Sequence, residues 1–305
     1  MKHFMGTTLT LFLVMLNATK SYGQNVPHFD KKRAFEYLVK QCEFGPRNPG
    51  SSGHLACLEY LIAELSKTAH NVTRQEFLFS IPRDNTTAIC TNIVATFQPA
   101  NKSRILLCAH WDTRPWADLD PDPRNHDKPI LGANDGASGV AVLLEIARHL
   151  LESPPTVGID IVLFDAEDAG VYGNDESWAI GAKEFAKRKA GRYHPLFGIL
   201  VDMIGDRDLD IYIEKFSFKS APHIVKKVWN KAMELGFSEF IPIEKFEIYD
   251  DHIRLLNVGI PCIDIIDFDY KPWHTMNDTP ENCKAESLEI VGQVLLHVIY
   301  SGDYF

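Results

Sequence analysis

The chain has 305 residues, of which 45% are hydrophobic, 24% charged and 11% aromatic. These fractions exclude a disordered or fibrous protein, and at this size roughly three-quarters of the chain's surface can be buried. The 31 Lys and Arg face 41 Asp and Glu, and the net charge of −10 makes a long nucleic acid a poor partner, because binding one requires surplus cations to neutralise phosphates.

The chain opens with Lys2, an apolar run from Leu9 to Leu16 that is too short to span a bilayer, and the small residues Ser21-Tyr22-Gly23. This pattern reads as a signal peptide over residues 1–23, cleaved near Gly23, and predicts an exported protein, periplasmic or secreted. Cleavage would remove Lys2 and Lys20 and take the net charge to −12. No cysteine sits near the cut and no later apolar stretch is long enough for a transmembrane helix, so no membrane anchor is expected. Export permits disulfides: Cys42, Cys57, Cys90 and Cys283 are candidates for pairing, with the connectivity open, whereas Cys108 and Cys262 sit in apolar strand-like runs as buried thiols.

Helical spacing of apolar residues marks 31–42 and 53–66, with the Gly/Pro loop EFGPRNPGSS between them. QEFLFS and ICTNIVATFQ read as strands. Strands and helices then alternate: strand 104–110, helix 136–151, strand 158–168, strand 197–205, a further strand near 210–215, helix 222–235, strand 259–268 and helix 285–300. The reading is an α/β fold, a central mixed but mostly parallel β-sheet flanked by helices on both faces, forming a single domain over 24–305.

In such sheets the site lies beyond the C-terminal ends of the strands. Here those ends carry His110 and Asp112, Glu167 and Asp168, and Asp202; Asp135 opens the helix after the 111–134 loop, and His274 follows the 259–268 strand beside Trp273. Each has an ordinary reading when taken alone: Asp135 as a helix N-cap, Glu167 and Asp168 as the start of a solvated loop, Asp202 as a turn residue, His274 as a partner for loop backbone, the tryptophans as core. Together, several acids on one rim repel one another, and a dication relieves that repulsion; two histidines and several carboxylates form a set that zinc accepts.

The ordered series AHWD, GANDGASGVAVLLEIARHL, FDAED, ILVDMIG and PWHTMNDT resembles the zinc-aminopeptidase-like (zinc-exopeptidase-like) superfamily. FGPRNPGSSGH, YDDHIRLLNVGIPCIDII and the Trp before His274 resemble the glutaminyl-peptide cyclotransferases, in the bacterial branch related to the animal enzymes; the likeness spans about residues 42–300. The resemblance implies one catalytic zinc per chain on Asp135, Asp168 and His274, with Glu167 as general acid/base. It implies Asp202 and Asp250 as paired acids beside the substrate, and Trp273 and Trp178 as indoles of the pocket wall. Asp264 departs from the His of the animal pattern. The implied activity is conversion of N-terminal Gln of exported peptides and proteins to pyroglutamate with release of ammonia. The alternative is a dizinc aminopeptidase of the same superfamily, in which His110 and Asp202 complete a second metal site bridged by Asp135. A third reading, a non-enzymatic binding module on this fold, conflicts with the intact set of ligand types and base. Gln24, exposed by cleavage after Gly23, would itself be a substrate.

Overall fold

The structure is a computed structural model and describes residues 26–83 and 86–304. The expected signal segment, its expected cleavage point and Gln24 lie outside the described residues. The elements run α1 (Lys31–Cys42), α2 (Ser52–Ser66), β1 (Asn71–Ser80), β2 (Thr87–Phe97), β3 (Arg104–His110), α3 (Ala137–Glu152), β4 (Gly158–Phe164) and α4 (Ile180–Lys189). They continue β5 (Phe197–Asp202), β6 (Ile211–Ile213), α5 (Lys215–Ser220), α6 (Pro222–Leu235), β7 (Phe240–Glu244), α7 (Asp251–Leu256), β8 (Cys262–Ile266) and α8 (Ala285–Tyr300).

Six strands form the main sheet in the order β1-β2-β4-β3-β5-β8. β1 and β2 are antiparallel, β2 meets β4 antiparallel, and β4, β3, β5 and β8 are parallel. The parallel strands are buried on both faces, which explains their unbroken apolar sequences. Ile105, Leu107, Ile161, Ile199 and Val201 point into the larger core, together with α1, α3, α6 and α8. Leu106, Cys108, Val162 and Leu200 point to the other face, against Phe185 of α4 and Leu255 of α7. The expected mixed sheet with helices on both faces is therefore the observed fold.

Several boundaries differ for local reasons. β4 stops at Phe164 rather than 168, because Asp165 leaves the ladder: its N–H donates to Asn92 Oδ1 at 3.0 Å, and Ala166 is left-handed with φ 56°. α3 is capped by Gly136 at φ 102° with no side-chain cap bond, so Asp135 is not its N-cap. A Cβ at Gly136 would lie 2.6 Å from the Asp112 carbonyl oxygen, a close approach only glycine permits. The short β6 pairs in parallel with β7, whose Pro-containing FIPIE gave no strand signal.

All six cysteines are free and buried. Burial pushes the Cys57 thiol up to about 11 and Cys42 up to about 12, so both are protonated and unreactive near neutrality. Among the described residues no helix is long and apolar enough to cross a membrane.

α8 packs against α1 and the chain entering it through Gly292. A Cβ there would lie 2.2 Å from Cε2 of the fully buried Phe29. Gly292→Ala therefore overpacks a dense core and should cost about 1–3 kcal/mol, read as a lower urea midpoint at unchanged slope.

Candidate active site and metal centre

The site forms where β3, β4 and β5 end and where the 267–278 loop returns beneath them. Two carboxylates behind the cavity wall hold the acids in place. Asp112, fully buried after β3, accepts the backbone N–H groups of Glu167 at 3.0 Å and Asp168 at 3.3 Å. Asp278 accepts those of Asn134 at 2.8 Å and Asp135 at 3.1 Å, and Tyr270 donates its hydroxyl to it at 2.8 Å. Arg47, from the FGPRNPG loop, is fully buried and donates to the carbonyls of Trp111 (3.1 Å), Leu131 (2.9 Å) and Gly132 (2.7 Å), which fixes the long loop ahead of Asp135. Losing it would take the arginine donor from the Trp111 and Leu131 carbonyls, at about 1–3 kcal/mol each where they are sealed from water, whereas the Gly132 carbonyl keeps the Ala137 N–H at 3.2 Å.

Asp135, Asp168 and His274 converge, with ligand atoms within 4.8 Å of one another. His274 Nε2 is 3.0 Å from Asp168 Oδ1 and 3.6 Å from Asp135 Oδ2. Asp135 Oδ2 and Asp168 Oδ2 are buried without a hydrogen-bond partner. Burial pushes both carboxyls up, Asp168 to about 8, and each is raised further by a neighbouring carboxylate. Burial, with the Arg114 guanidinium nearby, pushes His274 down to about 3, so its ring is neutral at physiological pH. A neutral imidazole facing two carboxylates with orphaned oxygens is a donor set that fits zinc, and a dication among them reverses the penalty on the buried charges.

His110 lies on the other side of Asp135. Its Nε2 is 3.0 Å from Asp202 Oδ1 and 3.2 Å from Asp135 Oδ1. Burial alone would lower its pKa, but the surrounding carboxylates, Asp202 first, outweigh it and raise it well above the usual value. His110, Asp135 and Asp202 form a second group able to hold a metal.

A cavity of about 230 Å³ opens over the first group. Asp135, Glu167, Asp168, Trp178, Asp202, Asp250, Trp273 and His274, all singled out in the sequence, line it, and His110 lies off its wall. Glu167 is buried, and desolvation, with the Asp250 carboxylate next, pushes it well above the ordinary range; Asp250 rises to about 6 for the same first reason. The Trp178 ring lies parallel to His274, 4° between planes at 6.1 Å, while Trp273 packs on His274 at 4.0 Å and on Phe268 at 4.9 Å.

Residues 92–299 match the model of peptidase family M28. The glutaminyl cyclase of Bacteroides thetaiotaomicron, solved bound to N-acetylhistamine, superposes with a TM-score of 0.87 at 41% identity, over 90% of this chain and 99% of the other. The chain belongs to peptidase family M28, in its glutaminyl cyclase branch. A leucine aminopeptidase precursor from Bacteroides thetaiotaomicron is similar at 42% identity and a TM-score of 0.87, over 90% and 98% of the two chains. The glutaminyl-peptide cyclotransferase of Bos taurus is 22% identical over 82% of this chain and 76% of its own.

Within this M28 site two residues escape sequence reading. Arg114, fully buried, donates to the Asp168 carbonyl at 2.8 Å and lies under the rings of Tyr172 and Trp178. A lone arginine two residues beyond the AHWD motif was its only signal. Tyr172 Oη lies 2.6 Å from His274 Nδ1. It sits in the irregular 165–179 segment, where no periodicity aims a side chain. Asp264, which departs from the animal pattern, is fully buried and off the cavity wall; its Oδ2 is 3.8 Å from His252 Nδ1.

Trp178 rests on Gly170, where a Cβ would lie 2.1 Å from Trp178 Cδ2. Gly170→Ala should push the indole off the His274 face. The expected result is a higher KM for a Gln peptide with an unchanged circular dichroism spectrum; an unchanged KM would separate Trp178 from substrate binding.

Proposed function

We propose that this chain is a zinc-dependent glutaminyl-peptide cyclotransferase that closes N-terminal Gln of exported peptides and proteins to pyroglutamate. The observation that carries the reading is the buried, high-pKa Glu167 on the wall of a small aromatic-walled cavity that also presents Asp135, Asp168 and His274. In this reaction the substrate α-amine attacks its own γ-carboxamide carbon. A C–N bond forms, the bond to the amide nitrogen breaks, and ammonia leaves. Because nucleophile and electrophile share one residue, orientation alone can remove about 7–11 kcal/mol of barrier in well-aligned cases. No water is consumed.

Asp135, Asp168 and His274 would hold one zinc, which when bound supplies Lewis acidity toward the γ-carbonyl oxygen. Glu167 takes the proton released by the attacking amine and returns it to the departing nitrogen. Its raised pKa suits both halves of that exchange near neutral pH. After burial, the negative charge of Asp250, with Asp168 and Asp251, keeps the Glu167 proton affinity high, and Asp202 shares the cavity wall with it. Trp273, Trp178 and Phe268 pack on the Gln side chain and exclude the water that would hydrolyse it.

The dizinc aminopeptidase reading keeps one supporting observation, the second group of His110, Asp135 and Asp202. Its spacing matches that of the first group, with His110 Nε2 3.0 Å from Asp202 Oδ1 and 3.2 Å from Asp135 Oδ1. The reading also includes the cleaved signal segment 1–23, a periplasmic or secreted location, one catalytic domain over 24–305, and self-cyclisation of Gln24, for which N-terminal mass spectrometry is the check.

The deciding assay is ammonia release from a Gln-initiated peptide, run beside hydrolysis of an aminoacyl chromogen. Cyclisation with ammonia and an intact following peptide bond is expected; chromogen hydrolysis without ammonia would overturn the assignment. A chelator should abolish the activity and one equivalent of zinc should restore it, whereas a requirement for two equivalents would favour the aminopeptidase. Glu167→Gln should keep its zinc and lose about 10²–10⁴-fold in kcat; unaltered turnover would remove Glu167 from the proton transfer.

A further inference from the structure

His274 is held on three sides, and each side does something different. Trp178 lies parallel to one face of its ring, and Trp273 packs against it at 4.0 Å. Its backbone is left-handed at φ 56°, an unusual conformation for a residue other than glycine. These contacts restrict where the ring lies but say nothing about which nitrogen carries the proton. A histidine ligates a metal only through a nitrogen that is free of hydrogen, and the partner of the other nitrogen decides which one that is. For Nε2, which faces Asp168 and Asp135, to take zinc, Nδ1 must carry the proton.

Two groups lie near Nδ1. Asp118 Oδ1 is 3.9 Å away, beyond hydrogen-bond reach, and both Asp118 oxygens are engaged by guanidinium groups: Arg114 Nε at 2.8 Å on Oδ1, with Arg114 and Arg83 at 2.7 and 2.9 Å on Oδ2. Tyr172 Oη is 2.6 Å away. With the proton on Nδ1 the imidazole donates and the phenol oxygen accepts, which leaves the Nε2 lone pair turned toward the carboxylates. The Tyr172 ring is seated over the Arg114 guanidinium at 5.2 Å and beside Trp178 at 5.5 Å, so its hydroxyl is aimed by packing. The same side chain lines the cavity.

We propose that Tyr172 is a positioning residue for the metal centre: its hydroxyl fixes the tautomer and plane of His274, so one side chain of the pocket wall also sets the affinity of the zinc site. Carboxylates and backbone carbonyls usually perform this role for ligating histidines, and here the carboxylate nearest Nδ1, Asp118, is out of reach and committed to arginines. The proposal rests on the reading of His274 as a zinc ligand. Because Tyr172 is 49% exposed and sits on a loop, removing one hydroxyl should leave the fold intact.

The test is zinc affinity of the purified protein, measured by competition with a chromogenic chelator, for the parent, Tyr172→Phe and His274→Ala, together with melting of each metal-free form. Tyr172→Phe keeps the ring over Arg114 and should weaken zinc about 10- to 100-fold while the metal-free protein melts as the parent does. Cobalt(II) in place of zinc should also show an altered visible spectrum in Tyr172→Phe. If Tyr172→Phe binds zinc as tightly as the parent while His274→Ala binds it weakly, the proposal is wrong and the ligand assignment stands. If His274→Ala binds as tightly as the parent, the assignment fails and the proposal fails with it.

Discussion

The arrangement at the rim turns on one carboxylate. Asp135 sends Oδ1 toward His110 and Oδ2 toward His274, and so it joins the two groups of polar side chains at the strand ends. Only glycine next to it allows this. Gly136, at φ 102° and pressed against the Asp112 carbonyl, takes over the start of α3 and releases Asp135 from capping duty. The first turn of α3 then carries small buried residues, Ala137, Ser138 and Gly139, that let the helix approach the sheet closely; a Cβ at Gly139 would lie 2.3 Å from the Val201 carbonyl oxygen. Packing of the helix and placement of the acid are one constraint.

Burying so many acids is costly, and the chain offsets the cost in layers. Asp112 and Asp278 are satisfied by backbone amides of the segments that carry Glu167, Asp168 and Asp135. Asp165 accepts from Thr91 at 2.5 Å and Ala166 at 2.8 Å, and faces His54 Nε2 at 2.9 Å; His54 in turn stacks on Trp111 at 4.5 Å. Both oxygens of each of these outer acids have a partner, whereas Asp135 and Asp168 keep an oxygen each without one, as the buried Asp250, Asp251 and Asp264 also do on at least one oxygen. Backbone strain gathers at the same place. Ala166, Met203 and His274 are left-handed, each adjoining or forming part of the cavity wall, at about 1–3 kcal/mol apiece. A network this over-determined can hold such residues, and it holds the proposed base and ligands rigid before any substrate arrives.

The framework was legible because its signals are local and periodic. The helices at 31–42, 222–235 and 285–300 fall where apolar spacing puts them, and the buried parallel strands announce themselves as unbroken aliphatic runs. That the acids and His274 line one cavity was legible because strand ends are where a doubly covered sheet exposes its edge, and the ordered motifs suggest a role for each. What stayed hidden depends on contacts across the chain. Asp278 reads as a loop residue until its carboxylate is seen 144 positions away, on Asn134. Arg47 looks like a loop charge, yet it is buried against carbonyls more than sixty residues on. Tyr172 and α4 belong to a stretch whose course is set by Trp178 folding over Gly170, an interaction without a sequence period.

The pocket wall bears on why this geometry favours ring closure over hydrolysis. A hydrolase must bring water to the carbonyl carbon, and its cavity needs room and polar partners for that water. Here the apolar group of Met203, Ile248, Ile266 and Tyr270, with Phe268 and Trp273 packed against it, lies directly behind the acids. The main chain of that wall is pinned by Glu214, which accepts from the Ile248 amide at 3.2 Å while capping α5, and whose own carboxyl is held down at about 2, with the nearby His252 outweighing the burial that would raise it. That bond ties the Ile248 stretch of the wall to the start of α5. The nucleophile that remains within reach of the γ-carbon is the amine on the same residue, already oriented by the cavity that excludes its competitor.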